Sequence, residues 1–315
     1  MGQYLAKRVL FAVGVLFVIS IVVFTAVRMI PGDVCRIVLN TPDVTEAQCE
    51  AIRDELGLDE PLVTQYLSYM GGLLTGDWGT TLISKRSVWD EIKTRIPVTL
   101  ELTLLATTFA FIIALPIGII SAVRQDSVID YVLRVLSIGW LSIPSFWLGT
   151  MLIVFPAQWW GYTPPVGYVD LWEDPLKNLE QLYLPAISLG LALSASLARV
   201  TRSAMLEVLR QDYIRTSRAK GLGERLVILR HALRNAMIPV ITLFGLQIGV
   251  LLGGTVVLES IFSLPGLGLL TFNAVTVKDY PQVQGLVLFF ATVLVTVNLL
   301  VDLSYAWFDP RIRYA

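Results

Sequence analysis

The feature that most constrains this chain is a series of long segments without a charged residue. Runs of at least 18 uncharged residues recur along its 315 residues, at 9–27, 102–123, 135–169, 181–198, 235–258, 260–277 and 280–301. An apolar helix of about 20 residues crosses a hydrocarbon core of about 30 Å, so each run is a candidate transmembrane helix. The composition, 55% hydrophobic and 16% charged, is also too apolar for an ordinary soluble domain. The sequence therefore predicts an all-α integral membrane protein.

Six of the seven runs are assigned as membrane spans, and the first is interpreted as a retained one. The 19 residues of 9–27 exceed the apolar core of a signal peptide, which has about 7–15 residues. In the third run the crossing is placed at 135–157, because Trp159 and Trp160 are typical of an aromatic belt at the membrane surface. Residues 1–28 are therefore predicted to form a short tail and the first transmembrane helix.

The run 260–277 is predicted to be a re-entrant or interfacial element instead of a seventh span. Pro265 and Gly266 interrupt it early. Helix-breaking backbone at membrane depth is tolerated where it packs against protein or lines a cavity. A seventh crossing is the alternative, and it would place the two termini on opposite sides of the membrane.

The connection between the predicted fourth and fifth spans carries a strong positive charge. Residues 199–234 contain nine Lys and Arg against three acids, a net charge of +6. Basic loops between spans remain in the cytoplasm, so this loop and both termini are predicted to be cytoplasmic. The loop divides a predicted five-helix core, 98–315. Within it, 212–220 has a helical composition, and Gly221 permits the positive φ of a sharp turn.

The segment after the first predicted span has the opposite charge. Residues 29–97 contain eleven acids against six Lys and Arg, a net charge of −5, which favours a place outside the cytoplasm. A capping-box pattern at Thr45 and Gln48 predicts one helix, and the stretch from Pro61 to Leu74 predicts a second. We expect a small helical extracytoplasmic insertion after the first transmembrane helix.

Both cysteines, Cys35 and Cys49, lie in this acidic segment. A disulfide between them would close a loop of about 15 residues and contribute roughly 3 kcal/mol in the chain-entropy model. Two buried free thiols are the alternative, and the spacing does not decide between them. Two cysteines are too few for a thiolate metal cluster, and no metal site is predicted.

No catalytic motif accompanies the predicted spans. The sequence has no G-x-x-x-x-G-K-[ST] phosphate loop, no H-E-x-x-H and no G-x-S-x-G, and it has a single histidine, His231. Ion-coupled carriers need carboxylates or ion-binding broken helices near the midplane. The midplane stretches here carry scattered Ser and Thr. The chain is therefore not expected to be an enzyme, and energy for transport would have to arrive through the basic loop.

Proline residues inside the predicted spans indicate kinks. Pro116 and Pro144 each remove a backbone hydrogen bond from a predicted helix, and Ser142 and Ser145 flank Pro144. Kinked helices that carry hydroxyl groups can move as segments and open a cavity, so these four residues are candidates for a transport pathway. The alternative is ordinary helix packing, with the hydroxyl groups bonded to their own backbone.

Eight stretches, spread over nearly the whole chain, resemble one family of transporters. They are RMIPGD (28–33), GDWGTT (76–81), LSIPSFWLG (141–149), TPPVGY (163–168), TRSAMLEVLRQDYIRTSRAKGLGERLVILRHALRNAMIPV (201–240), ESIFSLPGLGLL (259–270), DYPQVQG (279–285) and NLLVDLSYAWFDPRIR (298–313). On these stretches the chain is similar to the B-type permease subunits of the dipeptide/oligopeptide family of binding-protein-dependent ABC importers. The central stretch is highly specific.

The resemblance implies a type I importer permease in a bacterial or archaeal cytoplasmic membrane, surrounded by lipid. Its partners would be a homologous second permease, two ATP-binding cassette subunits that bind ATP and magnesium, and an extracytoplasmic substrate-binding protein. No cofactor in this chain and no nucleic acid are expected. The substrate would be a di- or oligopeptide, and nickel-chelate or glutathione permeases of the same architecture are alternatives. A stand-alone channel or a membrane scaffold is the alternative from a different class.

The resemblance also implies that the basic loop carries the coupling motif of the importers, a short helix and a glycine followed by a helix that leads to a proline. The glycine corresponds to Gly221 and the proline to Pro239. The general pattern has Glu-Ala-Ala six residues ahead of the glycine, where this chain has Arg-Thr-Ser, and this departure leaves open which side chain contacts the ATPase most strongly. The predicted coupling residues are Asp212, Tyr213, Arg215, Thr216, Ser217, Arg218, Ala219, Lys220, Gly221 and Glu224. The alternative is a basic patch that holds anionic lipid head groups.

Two external segments, 29–97 and 259–282, are expected to dock the protein that delivers the substrate. Both lie on the side of the membrane opposite to the basic loop in the predicted topology. The candidates for an external gate or for docking are Glu259, Phe262, Pro265, Gly266 and Asp279.

Overall fold

The computed structural model describes residues 2–29, 46–47, 49–50, 57, 59–253 and 255–308, with side chains described from residue 6 as far as residue 301. Within these residues the chain is helical, without a β-strand. The helices, numbered along the chain, are α1 Gly2–Arg28, α2 Leu62–Thr75, α3 Val88–Val123, α4 Val128–Ser142, α5 Ser145–Trp160, α6 Pro175–Leu209, α7 Asp212–Ala219, α8 Glu224–Leu252, α9 Val256–Ile261, α10 Leu267–Thr276 and α11 Tyr280–Phe308. The predicted all-α fold is confirmed.

Five of these helices are long and apolar enough to cross a membrane. They are α1, α3, α6, α8 and α11, and α4 with α5 makes a sixth if a bent pair counts as one span. Each of the five overlaps one of the uncharged runs on which the spans were placed, and α8 ends at Leu252, six residues before its run does. The all-helical, multi-pass architecture is confirmed with five to six candidate spans, and the sixth depends on whether the bent pair forms one span.

The prediction of a continuous third span at 135–157 is wrong. α4 and α5 are separate helices that meet at a bend of 92°. Ile143 is extended, at φ −87° and ψ 121°, as expected for a residue that precedes proline. Pro144 has no N–H group with which to continue α4, so the kink expected there is a complete break. Pro116, by contrast, lies inside α3 without ending it.

α3 and α6 form the most extensive helix pair of the described structure. Small residues allow their backbones to approach closely. A Cβ atom added to Gly118 of α3 would lie 2.5 Å from the Thr201 side chain of α6, and one added to Gly190 of α6 would lie 2.8 Å from the Ala106 carbonyl oxygen of α3. α4, α5 and α8 also pack against α6, and α11 packs against α1 and α8. The α3–α6 pair is therefore the centre of the bundle.

α2 confirms the second helix predicted in the acidic segment after α1. Two hydrogen bonds attach it to the end of α1. Tyr66 shares one of 2.8 Å with Ser20, and Gln65 accepts one of 2.7 Å from the Arg28 side chain. The helix predicted from Thr45 lies largely outside the described residues.

Cys49 is buried and disulfide-bonded, so it is not one of two free thiols. Its predicted partner, Cys35, lies outside the described residues. The bridge between this particular pair therefore stays a prediction.

The run 260–277 is divided between two short helices, α9 and α10. The break predicted at Pro265 and Gly266 is confirmed, because α9 ends at Ile261 and α10 begins at Leu267. α10 has ten residues, about half of what a crossing requires. A re-entrant position of this segment in the membrane stays a prediction.

Candidate functional site

The predicted coupling loop folds into a helix, a tight turn and the start of a second helix, and we call residues 212–224 the basic hairpin. At the end of α7, Gly221 has φ 79°. Its amide donates to the Arg218 carbonyl oxygen at 2.9 Å, and the Leu222 amide donates to the Ser217 carbonyl oxygen at 3.4 Å. These two bonds form a Schellman motif, in which glycine takes the left-handed position. The helix and the turn predicted here are confirmed.

One side chain of α7 fixes the basic hairpin to the bundle. Ile214 is fully buried, in an apolar cluster that includes Ala122 of α3 and Met205 of α6. The neighbouring Tyr213 hydroxyl accepts a 2.7 Å hydrogen bond from the Asn235 side chain of α8. This short helix therefore shares an apolar cluster with residues of α3 and α6 and a hydrogen bond with α8, although Ile214 was not among the predicted residues. The available signal was one large apolar residue within an otherwise polar helix.

The other predicted coupling residues lie on the outer side of the hairpin. Arg218 links α7 to α8, because its Nε and Nη2 atoms donate to the two carboxylate oxygens of Glu224 at 3.1 and 2.7 Å. This bond raises the pKa of Arg218 above its ordinary value, so the guanidinium stays charged. Ser217 is half-buried, and the exposed residues are Asp212, Tyr213, Arg215, Thr216, Arg218, Ala219, Lys220, Gly221 and Glu224. The structure thus brings all ten together on one protruding, charged element.

A π-helical turn, Val227–Ala232, lies in α8 directly after the hairpin. Such turns are rare and frequently occur at functional sites. Val227 and Ala232 are both buried in the cluster that holds Ile214, so the turn is part of the packed joint between the hairpin and the bundle. The sequence gives no comparable signal for it, because its residues are ordinary helix formers.

A second unpredicted cluster ties the α3–α4 connection to α6. Asp130 is fully buried and accepts two hydrogen bonds from Arg202, from Nε at 3.0 Å and Nη2 at 2.8 Å. It also accepts from the Ser121 hydroxyl and from the Asp126 amide, the latter at 3.0 Å. Arg134 lies 3.3 Å from the same carboxylate. We call these residues the Asp130 cluster, and they join α3, α4 and α6 beside the base of the hairpin.

The predicted pathway residues occupy two places in the structure. Ser142, Pro144 and Ser145 surround the break between α4 and α5, and the Ser142 hydroxyl donates to the Ile138 carbonyl oxygen at 2.9 Å. Ser142 and Pro144 are exposed on this chain and Ser145 is half-buried. Pro116 is also exposed, but it belongs to α3. A role of these residues in a pathway stays a prediction.

Glu259, a predicted external residue of α9, is fully buried against the first turn of α10. Its carboxylate accepts a hydrogen bond of 2.8 Å from the Leu269 amide and one of 3.2 Å from the Thr99 hydroxyl of α3. The Leu267 amide donates in turn to the Thr99 hydroxyl oxygen at 2.8 Å. Glu259 and Thr99 therefore hold the first turn of α10 against α3.

The other external candidates surround this contact or support the start of α11. A Cβ atom on Gly266 would lie 2.6 Å from both oxygens of the Glu259 carboxylate, which explains a glycine there. Phe262 and Asp279 are buried, and Pro265 is half-buried. Burial raises the pKa of Asp279, while a 2.9 Å hydrogen bond that it accepts from the Leu82 amide opposes this shift. Docking at these residues stays a prediction, and their burial favours a supporting role.

Acidic and histidine side chains are scattered in the described part of the chain. There, no group of three or more His, Cys, Asp or Glu residues could hold a metal ion. His231, the single histidine of the sequence, lies half-buried in the π-helical turn.

Comparison with known proteins identifies the family. Residues 114–314 match the model described as "Binding-protein-dependent transport system inner membrane component", and residues 1–103 match "Binding-prot-dependent transport system membrane comp, N-term". The chain is 41% identical over 314 residues to the glutathione transport system permease protein GsiC of Escherichia coli (strain K12), with 100% of both chains covered. It is 40% identical over 334 residues to the di/tripeptide transport system permease protein DppB of Pseudomonas aeruginosa (strain UCBPP-PA14), covering 100% of this chain and 99% of that protein. The resemblance carried by the eight stretches is thus confirmed, and the chain belongs to the family of binding-protein-dependent transport system inner membrane components.

Proposed function

We propose that this chain is one permease subunit of an ATP-driven importer for short peptides, in the di- and tripeptide class. The two relatives described above support this class, since one is named for di- and tripeptides and the other for glutathione, which is itself a tripeptide. Their identities to this chain, 40% and 41%, are too similar to favour either substrate. The proposed substrate is therefore a short peptide, with glutathione within its range.

The observation that carries the ATP-driven part of the proposal is the fixed position of the basic hairpin. α7 exposes charged side chains on one side and buries Ile214 against residues of α3 and α6 on the other. Packed interiors transmit a displacement instead of absorbing it, so a partner that moves α7 would move these helices with it. We place two ATP-binding cassette subunits, with their ATP and magnesium, on the exposed side of the hairpin.

The proposal includes an orientation in the membrane. The excess of Lys and Arg in 199–234 favours the cytoplasm for the basic hairpin and for both chain termini. Residues 29–97 and the α9–α10 segment would then lie at the outer face, where a binding protein delivers the peptide. A homologous second permease would complete the path, and ATP hydrolysis would take place in the partner subunits.

Gly221→Val tests the coupling role. At φ 79° a side-chain-bearing residue is strained by about 1–2 kcal/mol, although no atom lies within 4 Å of the position that a Cβ would take. The importer carrying this variant, reconstituted in liposomes with all its partner subunits, is expected to retain ATP hydrolysis. Peptide uptake per ATP hydrolysed is expected to fall about ten-fold, because the strained turn no longer holds α7 in position.

Two further variants separate this backbone effect from side-chain bulk. Gly223→Val is the matched control, since Gly223 has an ordinary φ of −60° and equally open surroundings. Gly221→Asn should keep most of the uptake, because Asn tolerates the left-handed conformation. Full coupling in Gly221→Val would contradict the role of the hairpin.

The partners and the substrate have separate tests. Affinity purification of the solubilised chain is expected to recover ATP-binding cassette subunits and a second permease, whereas a stand-alone channel or a scaffold would be recovered without them. The ligand retained by the associated binding protein should be a di- or tripeptide or glutathione. Retention of a nickel chelate instead would contradict the substrate class and leave the coupling role intact.

A further inference from the structure

A pocket of about 390 Å³ lies between α3, α4 and α6, beside the Asp130 cluster. Three arginines contribute to its lining: Arg134 from α4, and Arg199 and Arg202 from α6. Aliphatic side chains form other parts of its wall, among them Ile117 of α3 and Ile138 of α4. The pocket therefore combines cationic and apolar surfaces in one cavity, and neither the family nor the proposed transport role assigns it a ligand.

The pocket keeps an excess of positive charge after its internal ion pairs are counted. The Asp130 carboxylate lies behind the lining arginines, and Arg202 binds it through two hydrogen bonds. Arg134 lies 3.3 Å from the same carboxylate, but its buried Nε makes no hydrogen bond within the described part of the chain. Arg199 is exposed and has no acidic partner among the described residues. Three guanidinium groups thus stand against the carboxylates of Asp130 and of the nearby Asp126, whose charge also acts on Arg202, which leaves a net charge of about +1.

The arginines stand at the edge of the apolar stretches. Arg199 directly follows the uncharged run 181–198, and Arg134 directly precedes the run that begins at residue 135. Ile138 lies one helical turn further into the apolar part of α4 than Arg134. Cationic groups therefore lie where the hydrocarbon core ends, and aliphatic groups lie where it begins. A phospholipid presents its phosphate and its acyl chains in this same order.

We propose that this pocket binds an anionic phospholipid. The phosphate pairs with Arg199 and Arg134, and the acyl chains lie along Ile117 and Ile138. An acidic segment of a second permease would also match the charge, but the lipid is favoured because it supplies an apolar part beside the anionic one. The site does not depend on the transport role, since it requires only that the α3–α4 connection faces the inner leaflet.

Arg199→Gln tests the site with little risk to folding, because Arg199 is exposed and its side chain makes no hydrogen bond or ion pair with another described residue. The complete importer is purified in mild detergent and titrated with phosphatidylglycerol, and bound lipid is counted by native mass spectrometry. We expect the variant to weaken phosphatidylglycerol binding about five-fold, the effect of one arginine near a membrane surface. Arg199→Lys should restore binding, and phosphatidylcholine binding should be the same in all variants.

Arg230→Gln is the matched control, because Arg230 is another exposed arginine of the 199–234 segment that lies outside the pocket lining. An equal loss in Arg230→Gln, or no loss in Arg199→Gln, would overturn the proposal. Displacement of the lipid by inorganic phosphate at the same concentration would show a bare anion site and would also overturn it. A photo-crosslinker in place of Ile138 should label lipid in native membranes, and labelling of a second permease instead would overturn the assignment.

Discussion

The basic hairpin and the α9–α10 segment are both short connections broken by glycine, yet they use their charged side chains in opposite ways. In the hairpin, the paired side chains of Arg218 and Glu224 are 42% and 53% exposed. In the other segment, the Glu259 side chain is fully buried. Asp279, at the start of α11, is almost as deeply buried.

This contrast has a physical basis in the environment of each charge. A carboxylate in water needs no particular partner, so an exposed one remains available to another protein. A buried carboxylate is costly unless the chain supplies its hydrogen bonds, and Glu259 receives them from Leu269 and Thr99. We therefore expect the hairpin to contact a partner and the α9–α10 segment to act as a rigid part of the bundle.

The two regions are also fixed to the bundle by different means. Ile214 fixes the hairpin by packing against apolar side chains, which resists separation without setting a unique orientation. Glu259 of α9 fixes α10 by accepting directional hydrogen bonds from the Thr99 hydroxyl of α3 and from the Leu269 amide of α10. A closely packed contact of this kind passes a displacement of α7 on to the helices it packs against, which suits an element proposed to be moved by a partner.

Glu259→Ala is expected to have the largest effect on stability. The substitution leaves the Leu269 amide and the Thr99 hydroxyl as buried donors without this acceptor, and each such group costs about 1–3 kcal/mol. We expect the free energy of unfolding, measured in mixed micelles, to fall by about 3 kcal/mol or more. Glu259→Gln keeps one acceptor oxygen and should lose about half as much.

The matched control for this substitution is Glu173→Ala. Glu173 is an exposed acid in the connection before α6, and its removal should change stability by less than about 0.5 kcal/mol. Equal stability of the Glu259 and Glu173 variants would contradict the supporting role of Glu259. Glu259 would then again be a candidate for direct contact with the binding protein.

Ile214→Ala is expected to act locally on the basic hairpin. Truncation of a fully buried Ile costs about 2–5 kcal/mol, because the transfer free energy is lost and a cavity remains. Hydrogen exchange of the 212–220 amides should therefore accelerate about 30-fold or more, since each 1.4 kcal/mol corresponds to ten-fold. Leu229→Ala is the control, because Leu229 of α8 is 48% exposed and should leave the exchange unchanged. Unchanged exchange in Ile214→Ala would show that the hairpin is held in another way.

The features that the sequence predicted correctly are those with a local signal. Uncharged runs indicated the spans, and the position of Gly221 after a short helical stretch indicated the Schellman turn. The break at Pro144 was expected as a kink, but an uncharged run contains no information on the direction that the chain takes after it. The 92° bend therefore had to come from the structure.

The features that the sequence did not predict depend on residues far apart in the chain. Asp130 and Arg202 are separated by 72 positions, so no local pattern in the sequence links them. Thr99 and Glu259 are separated by 160 positions. Acidic residues in loops are usually exposed, so the sequence alone suggests that Glu259 is exposed. Its burial results from tertiary packing, which the amino-acid composition does not reveal.

Arg218→Gln is expected to have the smallest effect on stability. It tests most directly whether the exposed charges of the basic hairpin and the buried charges of the α9–α10 segment have different roles. Exposed ion pairs contribute less than about 1 kcal/mol, because water screens the charges and ordering the side chains costs entropy. The free energy of unfolding and the exchange of the α7 amides should therefore remain close to those of the wild-type protein.

The coupling of transport to ATP hydrolysis is a separate measurement for Arg218→Gln. If this exposed face contacts the ATPase, peptide uptake per ATP hydrolysed should fall about two- to five-fold. A double-mutant cycle with Glu224→Gln then separates the internal pair from the partner contact, since a lost pair gives non-additive changes whereas two independent contacts give additive ones. A loss of stability as large as that of Glu259→Ala would show that the exposed and buried charges are not used differently.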